Sequence, residues 1–366
     1  MKYIALSDLH LGQTGEDRLG EFSLLSCGAK NSRAELKIEQ LGDTIRDFAG
    51  SSPVSMILVG DVLDLSLSYI RNAMKDFQDL LARLPAIHEL VYVVGNHDHH
   101  IWTMHCEYKD VIMRMYNGLL PNKGSVYQRT GIHGDRFELM EKLLNNPKAF
   151  IAYPTYKLPN SSVYFTHGHL FGGLYTFLSD ILKPFLPENL PHADVTATVN
   201  VAVIEFIYWL IGETGHGMGA EGIMEAIYMD FQKGKKSLIY KALESAADVL
   251  LKDGVVKCFP DSWERTIAKW VARRIIDKTV KEPKPITSMD RLIPSETSRT
   301  RASEWVKNTI QEKPKLVVGH THVSDHFVDE SMELFNLGSW LVGPNEPEPD
   351  SNVLLIEDNN LELKKV

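Results

Sequence analysis

Short apolar runs that end in polar, ligand-type residues recur five times along this chain. Each run is rich in Val, Ile, Leu or Tyr, which is typical of a buried strand. The runs are residues 3–6, 56–59, 90–94, 163–165 and 316–318. The residues that follow them are Asp8 and His10, Asp61 and Asp64, Asn96 and His97, His167, and His320 and His322. Because ligands bind just outside the carboxyl ends of strands in open α/β sheets, the pattern predicts one shared site.

Amphipathic helices are predicted between the first three runs. Apolar residues recur at helical spacing at Leu36, Leu41, Ile45 and Phe48, and again across residues 70–84. Strands that alternate with helices form parallel βαβ units, so we predict a layered α/β domain.

The pattern changes after His322. Apolar residues then fall at 333–336, 352–356 and 361–365, and the last two runs flank the turn sequence Asp358-Asn359-Asn360. Such a turn is suited to a hairpin. We therefore expect a second, more antiparallel sheet at the end of the chain.

Residues 171–313 are expected to form a large, mostly helical insertion, punctuated by Pro and Gly clusters. It would interrupt a catalytic core made of residues 1–170 and 314–366. Because it leaves and re-enters the core beside ligand-bearing runs, it is a candidate cap over the site. Within it, residues 195–211 are almost wholly apolar but shorter than the ~20 residues of a spanning helix. We expect a buried or interfacial helix there, with peripheral membrane contact left open.

Composition and net charge argue against some classes of function and location. With 366 residues, 44% hydrophobic and 24% charged, the chain has the composition of an ordinary globular protein. A formal net charge of −9 argues against general nucleic-acid binding, which needs a basic surface. The three cysteines lack CxxC spacing, and a cleaved signal peptide would remove Asp8. We therefore expect reduced thiols and a cytoplasmic location.

Carboxylate, imidazole and amide ligands suit borderline divalent ions such as Mn, Fe, Co, Ni or Zn. A pair of such ions needs a bridging ligand, and a carboxylate with two oxygens can serve. Two ions can bind phosphoryl oxygens and activate a bridging water. A nearby imidazole that binds no metal can supply the proton for the departing oxygen. The residue types therefore point to phosphoester hydrolysis.

The chain resembles the calcineurin-like metallophosphoesterase superfamily over residues 1–170 and 315–366. The motifs that carry the resemblance are Asp8-x-His10, Gly60-Asp61-x-x-Asp64, Gly95-Asn96-His97-Asp98, His167 and Gly319-His320-x-His322. The resemblance implies a layered sandwich of two mixed β-sheets flanked by helices. It also implies hydrolysis of a phosphomonoester, phosphodiester or pyrophosphate bond by a metal-bridging hydroxide, with Mn favoured over Fe, Zn, Co or Ni.

The resemblance further implies a role for each matching residue. One metal would be held by Asp8, His10 and His322. The other would be held by Asn96, His167 and His320. Asp61 would bridge the two, His97 would contact the phosphate and act as general acid, and Asp64 would fix the His97 ring.

Several alternatives stay open. His133 competes with His167, but no apolar run leads into it, so His167 is favoured. His99, His100 and His169 are either supporting contacts or solvent-exposed. Leu65 and Asp98 stand where protein Ser/Thr phosphatases usually carry Arg and Glu, which counts against that branch.

The expected substrate is a phosphorylated small molecule or a lipid-linked one. The Asp8-Leu-His10-Leu opening and residues 336–340 are similar to bacterial UDP-diacylglucosamine pyrophosphatases. That group often has Arg where His97 stands, and its insertion is much smaller. A catalytically idle scaffold and a nuclease are the alternative functions. The intact ligand set favours an enzyme, and the acidic charge disfavours a nuclease.

Overall fold

The computed structural model describes residues 1–15, 21–26, 31, 33–122, 131–144, 148–171, 200–201, 204–205, 208–209, 295–310, 312–343 and 349–366. Side chains are described within those ranges except at 131–133 and 295–298. The chain divides into two compact units, residues 1–220 with 293–366, and residues 221–292. The second unit lies outside the described residues, so the account below concerns the first. The expected boundaries of the insertion stay a prediction.

Six α-helices are described in the first unit. They are α1 Ala34–Ala49, α2 Ile70–Arg83, α3 His99–Glu107, α4 Met113–Tyr116, α5 Glu138–Leu144 and α6 Ser295–Thr309. A π-helical turn, Tyr108–Ile112, joins α3 to α4, and a 3-10 turn spans His169–Phe171. Helices α1 and α2 confirm the two amphipathic segments predicted between the first three runs. In α1 the predicted residues Leu41 and Ile45 are buried, but Leu36 is 53% exposed and Ile38 is buried instead. In α2 Phe77 is buried, as its spacing indicated.

Fourteen strands are described. They are β1 Lys2–Leu6, β2 Phe22–Ser23, β3 Val54–Val59, β4 Ile87–Val93, β5 Gly131–Arg136, β6 Lys148–Tyr153, β7 Thr155–Lys157, β8 Val163–Thr166, β9 Lys315–Val318, β10 Ser324–Val328, β11 Glu333–Leu337, β12 Leu341–Val342, β13 Asn352–Glu357 and β14 Asn360–Lys365. The five predicted apolar runs are β1, β3, β4, β8 and β9. The first sheet has the order β14-β13-β1-β3-β4-β6-β5, the second β10-β11-β9-β8-β7, and β12 pairs with β2.

Both large sheets are mixed, which confirms the predicted fold class. Strands β1, β3, β4 and β6 are parallel neighbours, while β13 and β5 run antiparallel at the two sides. In the second sheet β8, β9 and β11 are parallel, and β7 and β10 are antiparallel. All five ligand-bearing strands therefore belong to the parallel parts of the sheets.

The C-terminal hairpin corrects one expectation. Strands β13 and β14 do form an antiparallel hairpin around Asp358 and Asn359. However, β13 also pairs antiparallel with β1, so the hairpin extends the first sheet and does not build the second. The second sheet is formed by strands on either side of the insertion. Pairing between β13 and β1 joins residues about 350 positions apart, which no local pattern reveals.

The two sheets pack face to face around a shared apolar core. One face of the first sheet contributes Ala5, Ile57, Val59, Val91 and Val93, all 3% exposed or less. The facing side of the second sheet contributes Val163, Phe165, Val317, Phe335 and Leu337. Residues alternate inward and outward along each strand, so every second apolar residue enters this layer. The core fixes the strand ends from which the ligand residues project.

The outer face of the second sheet is covered by α6. Ala302, Trp305 and Val306 pack against Leu316 and Val318. Of residues 195–211, the described ones at 200–201, 204–205 and 208–209 have helical backbone. No helix within the described residues is both long and apolar enough to cross a membrane.

Candidate metal centre

The carboxyl ends of five strands converge at one place. Strands β1, β3 and β4 are adjacent and parallel, with Leu6 opposite Leu58 and Val59 opposite Val93. Strands β8 and β9 are adjacent and parallel in the second sheet. The loops that follow are tied together, since the backbone N–H of Asp8 donates to Gly60 and that of His10 donates to Asp61. The candidate ligands therefore meet at a common edge.

Asp8, His10 and His322 form the first group of candidate ligands. One nitrogen or oxygen from each lies within 4.8 Å of the others. His322 Nε2 is 3.3 Å from Asp8 Oδ1, and His10 Nε2 is 3.2 Å from His322 Nε2. Two imidazole nitrogens and a carboxylate oxygen that face one another are a donor set suited to a divalent cation.

Asp61, His167 and His320 form the second group, whose ligand atoms again lie within 4.8 Å of one another. His167 Nε2 is 2.9 Å from Asp61 Oδ2. The other ring nitrogen, Nδ1, lies 2.9 Å from the Val59 carbonyl and must donate to it, because a carbonyl only accepts. This contact fixes the tautomer and turns Nε2 toward the group, as supporting contacts of metal-binding histidines do.

Asn96 tests whether these residues fit a bound metal. Its side chain is fully buried, and neither its oxygen nor its nitrogen has a hydrogen-bond partner among the described residues. A buried amide without partners is costly, because it loses its hydrogen bonds to water. The neighbouring backbone N–H of His97 donates to Asp61 Oδ1 at 2.9 Å, which holds Asn96 beside the second group. A bound cation would supply the partner that the amide oxygen of Asn96 lacks.

The buried carboxylates and imidazoles of the site shift one another's pKa values. Burial would raise the pKa of Asp61, but the imidazoles of His167 and His97 outweigh it and hold that pKa well below its usual range. Burial would lower the pKa of His167, yet the carboxylates of Asp61 and Asp8 raise it to about 9. In the metal-free protein a protonated imidazole thus occupies part of the place that a cation would take. Metal binding must displace that proton.

The backbone at the ligand residues is unusual. Five of the seven candidate ligands have positive φ angles in the left-handed region: Asp8 at 53°, His10 at 47°, Asp61 at 50°, His320 at 72° and His322 at 58°. Residues other than glycine rarely adopt this conformation, and it is concentrated at functional sites. The conformation directs these side chains inward from the tight loops that follow the strands.

Two motif glycines are explained by close approach. A Cβ on Gly95 would lie 2.2 Å from Asp61 Oδ1 and 2.5 Å from the Asp61 backbone nitrogen. A Cβ on Gly319 would lie 1.8 Å from Ser7 Oγ and 2.2 Å from Asp8 Oδ2. Each glycine precedes a candidate ligand and faces the carboxylate of a neighbouring loop. The glycines therefore allow ligands from different strands to come together.

Asp64 links two imidazoles. Its Oδ2 lies 2.9 Å from His10 Nδ1 and 3.0 Å from His97 Nδ1, and the His10 and His97 rings are 4.8 Å apart. Ser66 Oγ donates to Asp64 Oδ1 at 2.8 Å. Burial would raise the pKa of Asp64, but His97 and His10 hold it far below its ordinary range. A charged Asp64 thus fixes the ring of His97.

Asp98 organises the loop that carries Asn96 and His97, a role that sequence reasoning missed. Its carboxylate accepts from the Gly95 N–H at 2.7 Å, the Val62 N–H at 2.8 Å and the Tyr92 hydroxyl at 2.7 Å. These contacts join the loop after β4 to the loop after β3. The only sequence signal was its place at the end of the third motif.

The remaining histidines are also located. His99 and His169 are buried, and His100 is partly buried, which favours supporting contacts over the solvent-exposed alternative. Burial, followed by repulsion from His167 and His320, lowers the pKa of His169 well below its usual range. His133 lies within β5, and its side chain is outside the described residues.

Three of the described residues in the expected insertion touch this region. Tyr208 packs on the His97 ring at 4.8 Å, Trp209 stacks on His100, and Glu205 bonds both His99 and His100. Sequence reasoning noted Glu205 only as an interruption of the apolar residues 195–211. That interruption was the available signal, because a lone carboxylate in an apolar helix needs a partner.

Comparison with known proteins identifies the family. The family described as calcineurin-like phosphoesterase matches residues 1–216, which is more than half of the chain. No protein with a curated description matches the sequence. Among solved structures, a cold-active protein-tyrosine phosphatase of a psychrophilic Shewanella species is 12% identical, with 100% of this chain and 77% of that chain covered and a TM-score of 0.29. A phosphopantetheinyl hydrolase from Mycobacterium tuberculosis is 15% identical, with 94% and 96% covered and a TM-score of 0.28. Scores this low carry no structural argument.

Proposed function

Since the chain belongs to the calcineurin-like phosphoesterase family of metal-dependent phosphoester hydrolases, we propose that it works with two metal ions. The observation that carries this proposal is the pair of ligand groups, each with its donor atoms within 4.8 Å of one another. Asp8, His10 and His322 would hold one ion. Asn96, His167 and His320 would hold the other. Asp61 would bridge them.

The donor set supports a borderline divalent ion, and we propose Mn as the metal, with Fe, Zn, Co and Ni as alternatives. When bound, the ions supply Lewis acidity toward the phosphoryl oxygens and a water activated for attack. The protein contributes a buried, preorganised frame of carboxylates and imidazoles. It needs little rearrangement during the reaction, since strand ends and interloop hydrogen bonds already hold the ligands.

His97 is proposed to donate the proton to the departing oxygen. Its Nδ1 is held by Asp64 and Ser66 at 3.0 Å each, so Nε2 would be the nitrogen that donates the proton. The charged Asp64 stabilises the protonated imidazole and fixes its orientation. After donation, the neutral ring keeps its place because the Asp64 contact accepts the remaining N–H.

The substrate is proposed to be a phosphorylated small molecule or a lipid-linked one, with access shaped by residues 171–313 as a cap. The contact of Tyr208 with His97 supports this, since it brings the insertion to the leaving-group side of the site. The cysteine pattern supports a reducing, cytoplasmic setting. The monoester, diester and pyrophosphate classes share the chemistry above and are separated by the assay below.

The test is to strip the protein of metal, load it with Mn and measure both stoichiometry and turnover. We expect elemental analysis to approach two ions per chain, with hydrolysis of at least one substrate in a panel of phosphomonoesters, phosphodiesters and pyrophosphates. Folded protein that binds no metal after loading, or that binds two ions and hydrolyses none of the panel, contradicts the proposal.

The cap is tested separately by replacing residues 221–292, the second compact unit, with a short linker. This leaves α6 on the second sheet, where it covers apolar side chains. We expect the shortened protein to bind metal and to lose selectivity between small and bulky esters. Unchanged selectivity means that this unit does not shape access.

A further inference from the structure

One face of a helical segment in the expected insertion packs on the core beside the metal centre. The described residues of this segment fall in pairs four positions apart, so they lie on one side of a helix. They are Asn200, Val201, Ile204, Glu205, Tyr208 and Trp209. Four of them, at 200, 201, 204 and 208, are at most 6% exposed. The charged Glu205 within this buried face therefore calls for a specific partner.

Among the described residues Glu205 has three partners, and all lie in the first turn and a half of α3. Its carboxylate accepts from His99 Nδ1 at 2.5 Å, from His100 Nδ1 at 2.9 Å and from Thr103 Oγ1 at 2.8 Å. The Glu205 side chain is 13% exposed. Burial would raise the pKa of Glu205, but hydrogen bonds from His100 and His99 lower it to about 2. A charged carboxylate thus ties the segment to α3.

Helix α3 begins directly after the loop that carries Asn96 and His97. Two aromatic contacts beside those of Glu205 also hold the helical segment against this part of the core. Trp209 stacks on His100 with centroids 3.8 Å apart and planes 4° from parallel, and Tyr208 covers His97 at 4.8 Å. If the first turn of α3 moved, the loop that carries Asn96 and His97 would therefore move, and so would the Tyr208 ring that covers His97.

We propose that Glu205 is a positioning residue, which acts through α3 and Tyr208 to hold the loop of Asn96 and His97 in its reactive arrangement. This rests on the function proposed above, because it assigns His97 to proton transfer. The insertion then does more than limit access. It supplies a contact on which the geometry of the catalytic loop depends.

The experiment compares Glu205→Ala and Glu205→Gln with the exposed control Glu304→Ala on α6. In the Mn-loaded full chain, we expect Glu205→Ala to lower kcat roughly 10- to 100-fold with little change in KM, since displacement of about 1 Å has this effect. Two ions should still bind at saturating Mn, because six of the seven candidate ligands lie outside this loop. Glu205→Gln keeps a side chain of the same length with one acceptor oxygen, so its kcat should lie between those of Glu205→Ala and the wild type.

A second measurement does not depend on activity. In metal-free protein, amide hydrogen exchange of peptides spanning 95–107 should increase in Glu205→Ala and stay unchanged in Glu304→Ala. If Glu205→Ala does not fold, Glu205→Gln and Thr103→Val carry the same comparison. Wild-type kcat together with wild-type exchange in the Glu205 variants overturns the proposal. A wild-type protein that hydrolyses nothing contradicts the proposed function instead, and the exchange measurement still decides whether Glu205 holds the loop.

Discussion

Replacing Gly95 with alanine would add one methyl group directly against the carboxylate proposed to bridge the two metal ions. The new Cβ would lie 2.2 Å from Asp61 Oδ1, whereas ordinary contact begins at 3.4 Å, so one group must move by about 1.2 Å. A rotamer change of Asp61 cannot relieve the clash, because its backbone nitrogen lies only 2.5 Å from the same Cβ. The loop after β3 or the loop after β4 must therefore shift.

The size of the effect follows from that displacement. Overpacking of this kind typically costs about 1–3 kcal/mol in the free energy of unfolding. Misplacement of reacting groups by about 1 Å lowers rates on the order of 10²-fold. Since Asp61 is the proposed bridge, we expect Gly95→Ala to bind Mn more weakly and to lose roughly 10²-fold or more in kcat/KM. The fold should survive, because the marginal stability of domains of this kind is about 5–15 kcal/mol.

The assay pairs turnover and Mn stoichiometry with urea unfolding, and Gly42→Ala serves as the matched control. Gly42 lies in α1, and a Cβ there would come no closer than 3.4 Å, to the flexible end of Arg46. This variant adds the same methyl group, keeps wild-type activity and gains up to about 1 kcal/mol from helix propensity. Wild-type activity and two bound ions in Gly95→Ala would refute the close-approach explanation of the glycine.

Three further predictions concern the same centre. Asp61→Asn should lose both activity and most bound Mn, as measured by elemental analysis, whereas two retained ions would remove Asp61 from the bridge. His97→Ala should keep its metal and lose roughly 10²–10⁴-fold in rate. That loss should be smaller for nitrophenyl esters, and an equal loss for all leaving groups would exclude proton donation. The pKa of His167 in the metal-free protein is raised from 6.5 to about 9, so its contribution to stability is complete below 6.5 and is lost as pH rises through about 9. Because metal needs the neutral ring, dye-competition affinity for Mn should increase between about pH 6 and 8.5, and a flat profile would contradict this.

The sequence predicted those parts of the fold that local pattern encodes. Buried parallel strands are continuous apolar runs, so β1, β3, β4, β8 and β9 could be recognised one at a time. Strand β6, Lys148–Tyr153, was missed because no ligand-type residue directly follows its apolar run, which was the pattern that marked the other five strands. The hairpin was recognised from its turn, but its sheet was not, because pairing with β1 depends on a partner at the other end of the chain.

The candidate site was predictable for a related reason. Its nine proposed residues directly follow strands or lie within a few residues of strand ends, and parallel topology brings those ends together. Glu205 was not assigned because its partners His99 and His100 lie more than 100 positions away. A charge within an apolar helix indicates that some partner exists, but only the folded chain identifies it. The binuclear assignment and the cap stay predictions.

The left-handed backbone at His10, His320 and His322 has an evolutionary consequence. Such a conformation costs a residue with a bulky side chain roughly 1–3 kcal/mol, while glycine and asparagine adopt it with less strain. Selection for stability alone would thus replace these histidines. We therefore attribute their presence to the metal binding proposed above. If selection for metal binding ended, a descendant could replace these histidines one by one, which would increase its stability and abolish its activity. Inactive relatives with this fold should therefore arise readily and persist.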